Sequence, residues 1–256
     1  IGRYGVGILD IIKILLSRIL PIESTWSMQA EAAILSIRLP RIIGAFLVGA
    51  CLAISGAAFQ SIFKNPLVSS DLLGVSNGAG FGAALAILIS GANIITQLFA
   101  FIFGLLSVSI TYLISKTYKA GGILVLVLSG VAISAFFNSL ISAIKFIADP
   151  DDKLPEIVYW LMGSLASINM DKILMIVIPV IIGLVILLVL RWHMNLLAMG
   201  DEEAQSLGLN PSRIRLLIIA GCTLLTSAAV SISGIVGWVG LIIPHMARMI
   251  VGPDNR

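Results

Sequence analysis

The sequence predicts an all-α, polytopic transmembrane helical bundle, and three observations lead to this fold class. Hydrophobic residues make up 59% of the chain, charged residues make up only 11%, and the mean hydropathy is +1.08. A soluble domain has roughly 45–50% apolar and about 25% charged residues. The apolar residues also form runs of about the 20 residues that a membrane-spanning helix needs. A soluble globular domain is therefore excluded.

Seven apolar runs follow one another from residue 42 onward. We predict membrane spans at 42–62, 72–90, 93–115, 122–146, 173–191, 214–231 and 235–250. Glycine and alanine are frequent in several of these runs, and small residues let helices approach one another closely within a membrane. We expect residues 1–256 to form one domain, with an extracytoplasmic amphipathic segment at 1–37 and the helical bundle at 38–256.

The N-terminal segment differs in character from the rest of the chain. Its apolar run, residues 8–20, is interrupted by charges and is too short to cross a membrane. The apolar positions within it follow helical spacing, which predicts an amphipathic helix on a surface, and Trp26 is placed as an interface anchor would be. The chain begins at Ile1 rather than Met, so we expect it to be a piece of a longer protein.

The distribution of lysine and arginine predicts the orientation of the bundle. The loops on one side and the adjoining span ends hold Lys64, Lys116, Lys119, Arg191, Arg213, Arg215, Arg248 and Arg256, and those on the other hold Lys145, Lys153 and Lys172. Because cytoplasmic loops carry the excess of positive charge, residues 63–71, 116–121, 192–213 and 251–256 are predicted to be cytoplasmic. Arg38 and Arg41 then lie outside, against this rule, which hints at a functional role for them.

A weak internal repeat relates two of the predicted spans. A shift of 171 residues aligns Ser55-Gly-Ala-Ala58 with Thr226-Ser-Ala-Ala229. The first stretch is predicted to run inward and the second outward. This pattern is typical of the inverted repeats of transporters.

The spans lack the groups that intramembrane chemistry requires. They contain no Asp or Glu, and His193 and His245 lie in separate segments. We therefore expect neither a catalytic nor a metal site, and we do not expect transport driven by protons or sodium. Cys51 and Cys222 lie in apolar runs, which gives no disulfide framework. A net charge of +3 does not indicate nucleic acid.

The most polar stretch between two spans, residues 200–215, predicts two short helices joined by a corner. Asp201 can cap a helix and place Glu202 and Glu203 in its first turn, where the helix dipole favours carboxylates. Gly208 is a natural helix stop, and Asn210-Pro211 is typical of the start of the next helix. The segment is either a solvated link between spans or a contact for a soluble partner. The chain has no phosphate-binding loop of its own, so an ATP-driven cycle needs a second subunit.

Several short stretches resemble one known family, the FecCD permeases of ABC importers for iron-siderophores, haem and cobalamin. The matching stretches are Arg38-Leu-Pro-Arg41, Gly56-Ala-Ala-Phe-Gln60, Asn65-Pro-Leu67, Leu73-Gly-Val-Ser-Asn-Gly-Ala79, Trp160-Leu-Met-Gly-Ser-Leu165, Gly200-Asp-Glu-Glu-Ala-Gln-Ser-Leu-Gly208, Gly240-Leu-Ile-Ile-Pro-His245 and Gly252-Pro-Asp254. They occur in the family's order across nearly the whole chain. The resemblance implies a parent fold of ten spans, of which about seven are present here.

The resemblance also implies partners and site residues. Two copies of the permease form the pore in a prokaryotic plasma membrane, two separate ABC ATPase subunits bind Mg-ATP, and the chain itself binds no cofactor. The coupling helices fall at about 200–212. The ATPase contact is expected at Asp201, Glu202, Glu203, Ala204, Leu207 and Gly208. Docking of an extracytoplasmic binding protein is expected at Arg38, Arg41 and Trp160, and candidate pore-lining residues are Ser129, Ser134 and Asn138.

Each implied role has a plainer alternative. The two arginines could anchor to lipid headgroups, Trp160 could be an interfacial anchor, and the three polar residues could form ordinary interhelical hydrogen bonds. We expect the permease to carry an iron(III)-siderophore-type chelate, with cobalamin or haem as alternative cargoes. A receptor or scaffold protein that does not transport is the alternative from a different class.

Overall fold

The computed structural model describes residues 5–91, 93–118 and 122–252, and every described regular element is a helix. The helices are α1 (Ile8–Leu16), α2 (Met28–Ala32), α3 (Leu39–Ile62), α4 (Val75–Ile89), α5 (Asn93–Thr117), α6 (Gly122–Ile147), α7 (Lys153–Met162), α8 (Met170–Met199), α9 (Asp201–Ser206), α10 (Pro211–Ser233) and α11 (Val239–Val251). A π-helical segment, Ala33–Arg38, joins α2 to α3. The predicted roles of Lys119, Asp254 and Arg256 fall outside the described residues. The all-helical prediction is confirmed.

The short helices α7 and α9 mark the two ends of the bundle, because α8 runs from one to the other. At the α7 end, Arg41 donates from Nε to the carbonyl oxygen of Ala166 at 3.1 Å. At the α9 end, Arg248 of α11 contacts Gln60 at the end of α3. The chain therefore alternates between the two ends in the order predicted from the sequence.

Among the described residues, five helices rather than the predicted seven are long and apolar enough to cross a membrane. They are Met28–Ile62, Asn93–Thr117, Gly122–Ile147, Met170–Met199 and Pro211–Ser233. The predicted spans at 72–90 and 235–250 form the shorter helices α4 and α11. The irregular residues before each short helix are also apolar, so the hydropathy pattern assigned them to the predicted spans.

The first long helix begins well before residue 42, the predicted start of the first span. The helix is continuous from Met28 to Ile62, so it is 35 residues long and includes Arg38 and Arg41. A helix of this length extends about 52 Å and projects well beyond a hydrocarbon layer of about 30 Å. The two arginines interrupt the apolar run in the sequence, but the helix continues through both of them. The predicted surface helix at the N-terminus is present as α1, although only Ile14 of that helix is fully buried.

The helices α3 and α10 cross at the centre of the bundle in opposite directions. Ser55 and Thr226, which the internal repeat aligned, are in direct contact: the Thr226 hydroxyl donates to the Ser55 hydroxyl at 3.0 Å. Aligned residues of an inverted repeat that touch must lie close to the axis relating its halves. Each central helix is followed by an irregular stretch and then a short helix, α4 or α11. The structure therefore supports the inverted repeat.

Both short helices begin inside the bundle. The backbone at Gly74, before α4, contacts the hydroxyl groups of Ser107 and Ser134. Ser134 lies 12 residues into α6, about 18 Å from the end of that helix. Near the start of α11, Gly240 packs against Gly56 and Ser70. The prediction that residues 63–71 form a cytoplasmic loop is therefore wrong for the part from Ser69, which is packed between helices.

Candidate functional site: two end surfaces and a broken-helix interior

The α9 helix forms a small projection at one end of the bundle. Only Gly200 separates it from α8, and Ala204 is completely buried against the main apolar core. Arg215 of α10 donates from one guanidinium nitrogen to both carboxylate oxygens of Asp201, at 2.8 and 3.1 Å. These contacts fix the orientation of α9 relative to the two long helices beside it.

The turn between α9 and α10 has the helix stop and the helix cap that the sequence predicted. Gly208 has φ +81°, a left-handed conformation that favours glycine, and its N–H donates to the carbonyl of Gln205 at 2.9 Å. Asn210 caps α10 by accepting from the N–H of Arg213 at 3.1 Å, and Pro211 occupies the first helical position. The predictions for Gly208, Asn210 and Pro211 are confirmed.

The predicted capping role of Asp201 is wrong. Gly200 occupies the cap position, and Asp201 is the first residue of the helix, where its carboxylate pairs with Arg215. Glu202 and Glu203 are exposed, and Leu207 exposes 61% of its surface. The exposed surface around α9 therefore includes Glu202, Glu203, Gln205, Ser206 and Leu207, whereas Asp201 and Ala204 hold the helix in place.

The residues expected to dock a binding protein lie toward the opposite end of the bundle. The bond from Arg41 to Ala166 joins the start of α3 to the loop that follows α7. Arg38 is half-buried at the junction with the π-helical segment. Trp160 is half-buried and packs against two apolar clusters. Tyr159 and Met162, which the sequence did not single out as site residues, are exposed on the same helix.

The three candidate pore-lining residues lie in different environments on α6. Ser129 is only 6% exposed, inside the protomer. Ser134 contacts the backbone at Gly74, and Asn138 lies on the exposed face of the helix. Ser139 and Ser142 are exposed on that face too, although each hydroxyl donates to a carbonyl oxygen of its own helix. Of the three residues, only Asn138 is exposed.

A cavity that was not predicted from the sequence lies between the starts of α4 and α11. It has a volume of about 230 Å³, and its lining includes Ser70, Asp71, Ser76 and Trp238. Asp71 accepts a hydrogen bond from the N–H of Ser76 at 2.8 Å, so it stabilises the first turn of α4. Asp71 lies just before a predicted span, and counting charges within spans therefore missed it. The polar Ser69-Ser70-Asp71 stretch directly before the predicted span was the available signal.

Half-length helices that begin inside an inverted-repeat bundle are typical of membrane transporters. Comparison with known proteins identifies the class. Residues 1–256 match the FecCD transport family, and the chain belongs to this family.

Two curated relatives match most of the chain. The molybdate import system permease protein MolB of Haemophilus influenzae is 40% identical over 100% of this chain and 75% of its own length. A protein of Helicobacter pylori described as a probable iron chelatin transport system permease is 44% identical over 86% of this chain and 67% of its own length. Further relatives are named for cobalamin and hemin transport.

A solved structure shares the architecture. It is described as a metal-chelate type ABC transporter in an inward-facing conformation, and it superimposes with a TM-score of 0.82 and 38% identity. The match covers 96% of this chain and 80% of that one. The chain is therefore a multi-pass membrane protein and a permease subunit of the ABC importer type.

Proposed function

We propose that this chain forms the pore of a binding-protein-dependent ABC importer in the plasma membrane of a prokaryote. A separate ATPase would supply the energy through α9. The observation that carries this proposal is the exposed surface of α9, which includes Glu202, Glu203 and Leu207, on a helix held by Ala204 and the Asp201–Arg215 pair. A solvated link between spans has no need of such an anchored projection.

The connections of α9 indicate how a movement of the ATPase would reach the pore. One residue, Gly200, links α9 to α8, and the Gly208 corner links it to α10. The α10 helix packs against α3, α4, α5 and α8, and it is the most buried of the five long apolar helices. A displacement of α9 would therefore be transmitted to the most enclosed helix of the bundle, and closure of two ATPases would switch the accessible side of the pore.

At the α7 end we propose that Arg38 and Arg41 guide the docking of an extracytoplasmic binding protein. They lie 10 and 13 residues after the start of a helix that begins at Met28 and projects beyond the hydrocarbon layer, and this position near the α7 end supports the role. Rim charges of this kind contribute mainly to the encounter rate and the register of a complex. Tyr159 and Met162 are more exposed than the half-buried Trp160, so they are the better apolar candidates for this contact.

For the cargo we propose an iron(III) chelate of the siderophore type, supported by the name of the Helicobacter pylori relative. Molybdate is the second candidate, because the relative that matches the full length of the chain is named for molybdate import. Cobalamin and haem are alternative cargoes on the same grounds. The exposed face of α6 with Asn138 would line the pathway between two copies of the chain.

The ATPase contact is tested by replacing Glu202 and Glu203 with serine in the full transporter. The matched control is Asp151→Ser with Asp152→Ser, which removes two exposed carboxylates at the α7 end. At about 1 kcal/mol or less per exposed charge, the first variant should bind the purified ATPase about tenfold more weakly at low salt. High salt should reduce the difference. Unchanged ATPase binding by the Glu202/Glu203 variant, or equal losses in the two variants, would contradict the proposed contact.

A further inference from the structure

A buried glutamine, Gln60, joins three parts of the chain near the α9 end of the bundle. It lies two residues before the end of α3 and is only 2% exposed. Its amide nitrogen donates to the carbonyl oxygens of Val68 and Leu241, each at 3.1 Å, and its amide oxygen accepts from Arg248 at 2.7 Å. These bonds, called the Gln60 network below, connect α3 to α11 and to the segment that leads into α4. The roles proposed above for α9, the α7 end and α6 do not use it.

The amide of Gln60 can adopt only one orientation in this network. Arginine side chains are only donors and backbone carbonyls are only acceptors, so the amide oxygen must face Arg248 and the amide nitrogen must face Val68 and Leu241. Arg248 is fixed in turn, because it donates to the carbonyl oxygen of Ala57 on α3 at 2.7 Å. Both amide hydrogens and the amide oxygen are therefore paired, which makes the network specific for glutamine.

The Gln60 network holds α11 where the backbone bonding of that helix is interrupted. Pro244 lies inside α11 and has no N–H, so the carbonyl of Gly240 lacks its usual helical partner. Gln60 is bonded to Leu241 on one side of this proline and to Arg248 on the other. Hydrogen bonds from α3 therefore stabilise the part of α11 that its own backbone stabilises least.

The α11 helix can receive a movement of α9 only indirectly. The α10 helix packs against α3, whereas α11 makes its main helix contact with α3 among the described helices. A displacement of α10 would therefore reach α11 through α3. The close approach of Gly56 and Gly240 sets the distance between these two helices. The directional hydrogen bonds of Gln60 fix their register.

The aligned position in the other half of the inverted repeat does not form such a network. Ser231 lies at the shift of 171 residues that aligns the two halves, and its hydroxyl donates to the carbonyl of Ala228 in its own helix at 2.9 Å. One half of the repeat therefore folds without a side chain in this role. This favours a role for Gln60 in movement over a role in architecture alone.

We propose that Gln60 is a positioning residue that makes α11 and the segment entering α4 move together with α3 when access to the pore changes. This inference rests on the proposed function. Loss of the amide donors would leave the carbonyl oxygens of Val68 and Leu241 without this partner and would let α11 slip along α3. The ATPase would still bind α9, but its movement would no longer reach the starts of both short helices together. ATP would then be hydrolysed with little transport.

The test uses the full transporter with its ATPase and binding protein in proteoliposomes. Gln60→Met removes the whole amide at similar size, and Gln60→Glu keeps an acceptor for Arg248 but removes the donors. Both variants should lower ⁵⁵Fe(III)-siderophore uptake per ATP hydrolysed about tenfold, the effect expected for one unpaired buried carbonyl, while ATPase binding is retained. Deuterium exchange of the purified transporter should be about tenfold faster in residues 69–78 and 239–251 of both variants.

Gln97→Met is the matched control. Gln97 is also buried, at 3% exposed, and its amide donates at 3.1 Å to the carbonyl oxygen of Lys172, between α5 and α8 near the α7 end. It should change neither the uptake per ATP nor the exchange of the two segments. Equal effects of Gln97→Met and Gln60→Met, or normal uptake per ATP in Gln60→Glu, would overturn the assignment. Wild-type uptake without ATP would instead contradict the proposed function, and unchanged exchange in the Gln60 variants would still overturn the network.

Discussion

Glycines allow the closest helix contacts in this bundle. Gly56 of α3 lies directly against the backbone of Gly240 in α11, and a Cβ on Gly56 would overlap the Gly240 carbonyl oxygen. In the same way, Gly82 of α4 leaves space for the carbonyl of Phe99 in α5. Backbones that approach this closely gain dispersion contacts without the cost of burying polar side chains.

Gly56→Ala should therefore separate α3 from α11 and destabilise the protein. Overpacking of this kind costs about 1–3 kcal/mol, which lowers a melting temperature by roughly 2–4 °C per kcal/mol in a protein of this size. A thermal unfolding assay on the purified transporter would measure the shift. Gly49→Ala on the same helix is the control, since a Cβ there meets nothing within 4 Å. Equal melting temperatures for the two variants would show that the Gly56 contact is unimportant.

Single residues were predictable from the sequence where local chemistry decides their role. The left-handed turn at Gly208 and the cap at Asn210 follow from short-range rules and are present in the structure. The role of Asp201 did not follow, because its partner Arg215 lies 14 residues away on another helix. The position of Asp71 also depends on contacts between helices that are distant in the sequence.

At the level of helices, continuous apolar runs predicted α5, α6 and α10 within a few residues of their ends. Hydropathy failed where tertiary packing sets the boundary. The start of α4 is fixed by hydroxyl groups of α5 and α6 around Gly74, and the start of α11 by the close contact of Gly240 with α3. Neither contact can be recognised from the hydropathy of the segment itself, so both helices were predicted too long.

The corner at Gly208 offers a test of how α9 is held. Gly208→Ala introduces no collision, since a Cβ there meets nothing within 4 Å, and its cost is the positive φ alone, roughly 1–2 kcal/mol. Relief of this strain should shift α9 and reduce ATPase binding, measured by co-purification. Gly122→Ala carries a similar strain, with φ +49° and no neighbour within 4 Å, away from α9. It should lower the melting temperature without reducing ATPase binding, and equal loss of binding in both variants would contradict the assignment.

For the whole molecule, the two ends of the bundle have separate proposed partners: an ATPase at α9 and a binding protein at the α7 end. The inverted arrangement of α3–α4 and α10–α11 places the starts of both short helices in the interior between these surfaces. A change at α9 could therefore alter the interior without changing the length of any helix. The family and the all-helical fold could be predicted from the sequence, but which faces remain exposed could only be seen in the structure.

The central claim is that transport by this permease requires both ATP and a binding protein. The most direct measurement is uptake of a ⁵⁵Fe(III)-siderophore into proteoliposomes that contain the full transporter. Uptake should occur only with ATP at the α9 side and the binding protein at the α7 side, and Arg38→Glu with Arg41→Glu should abolish the stimulation by the binding protein. Molybdate uptake under the same dependence would change the cargo and leave the mechanism intact. Uptake that proceeds equally well without ATP or without the binding protein would contradict the account.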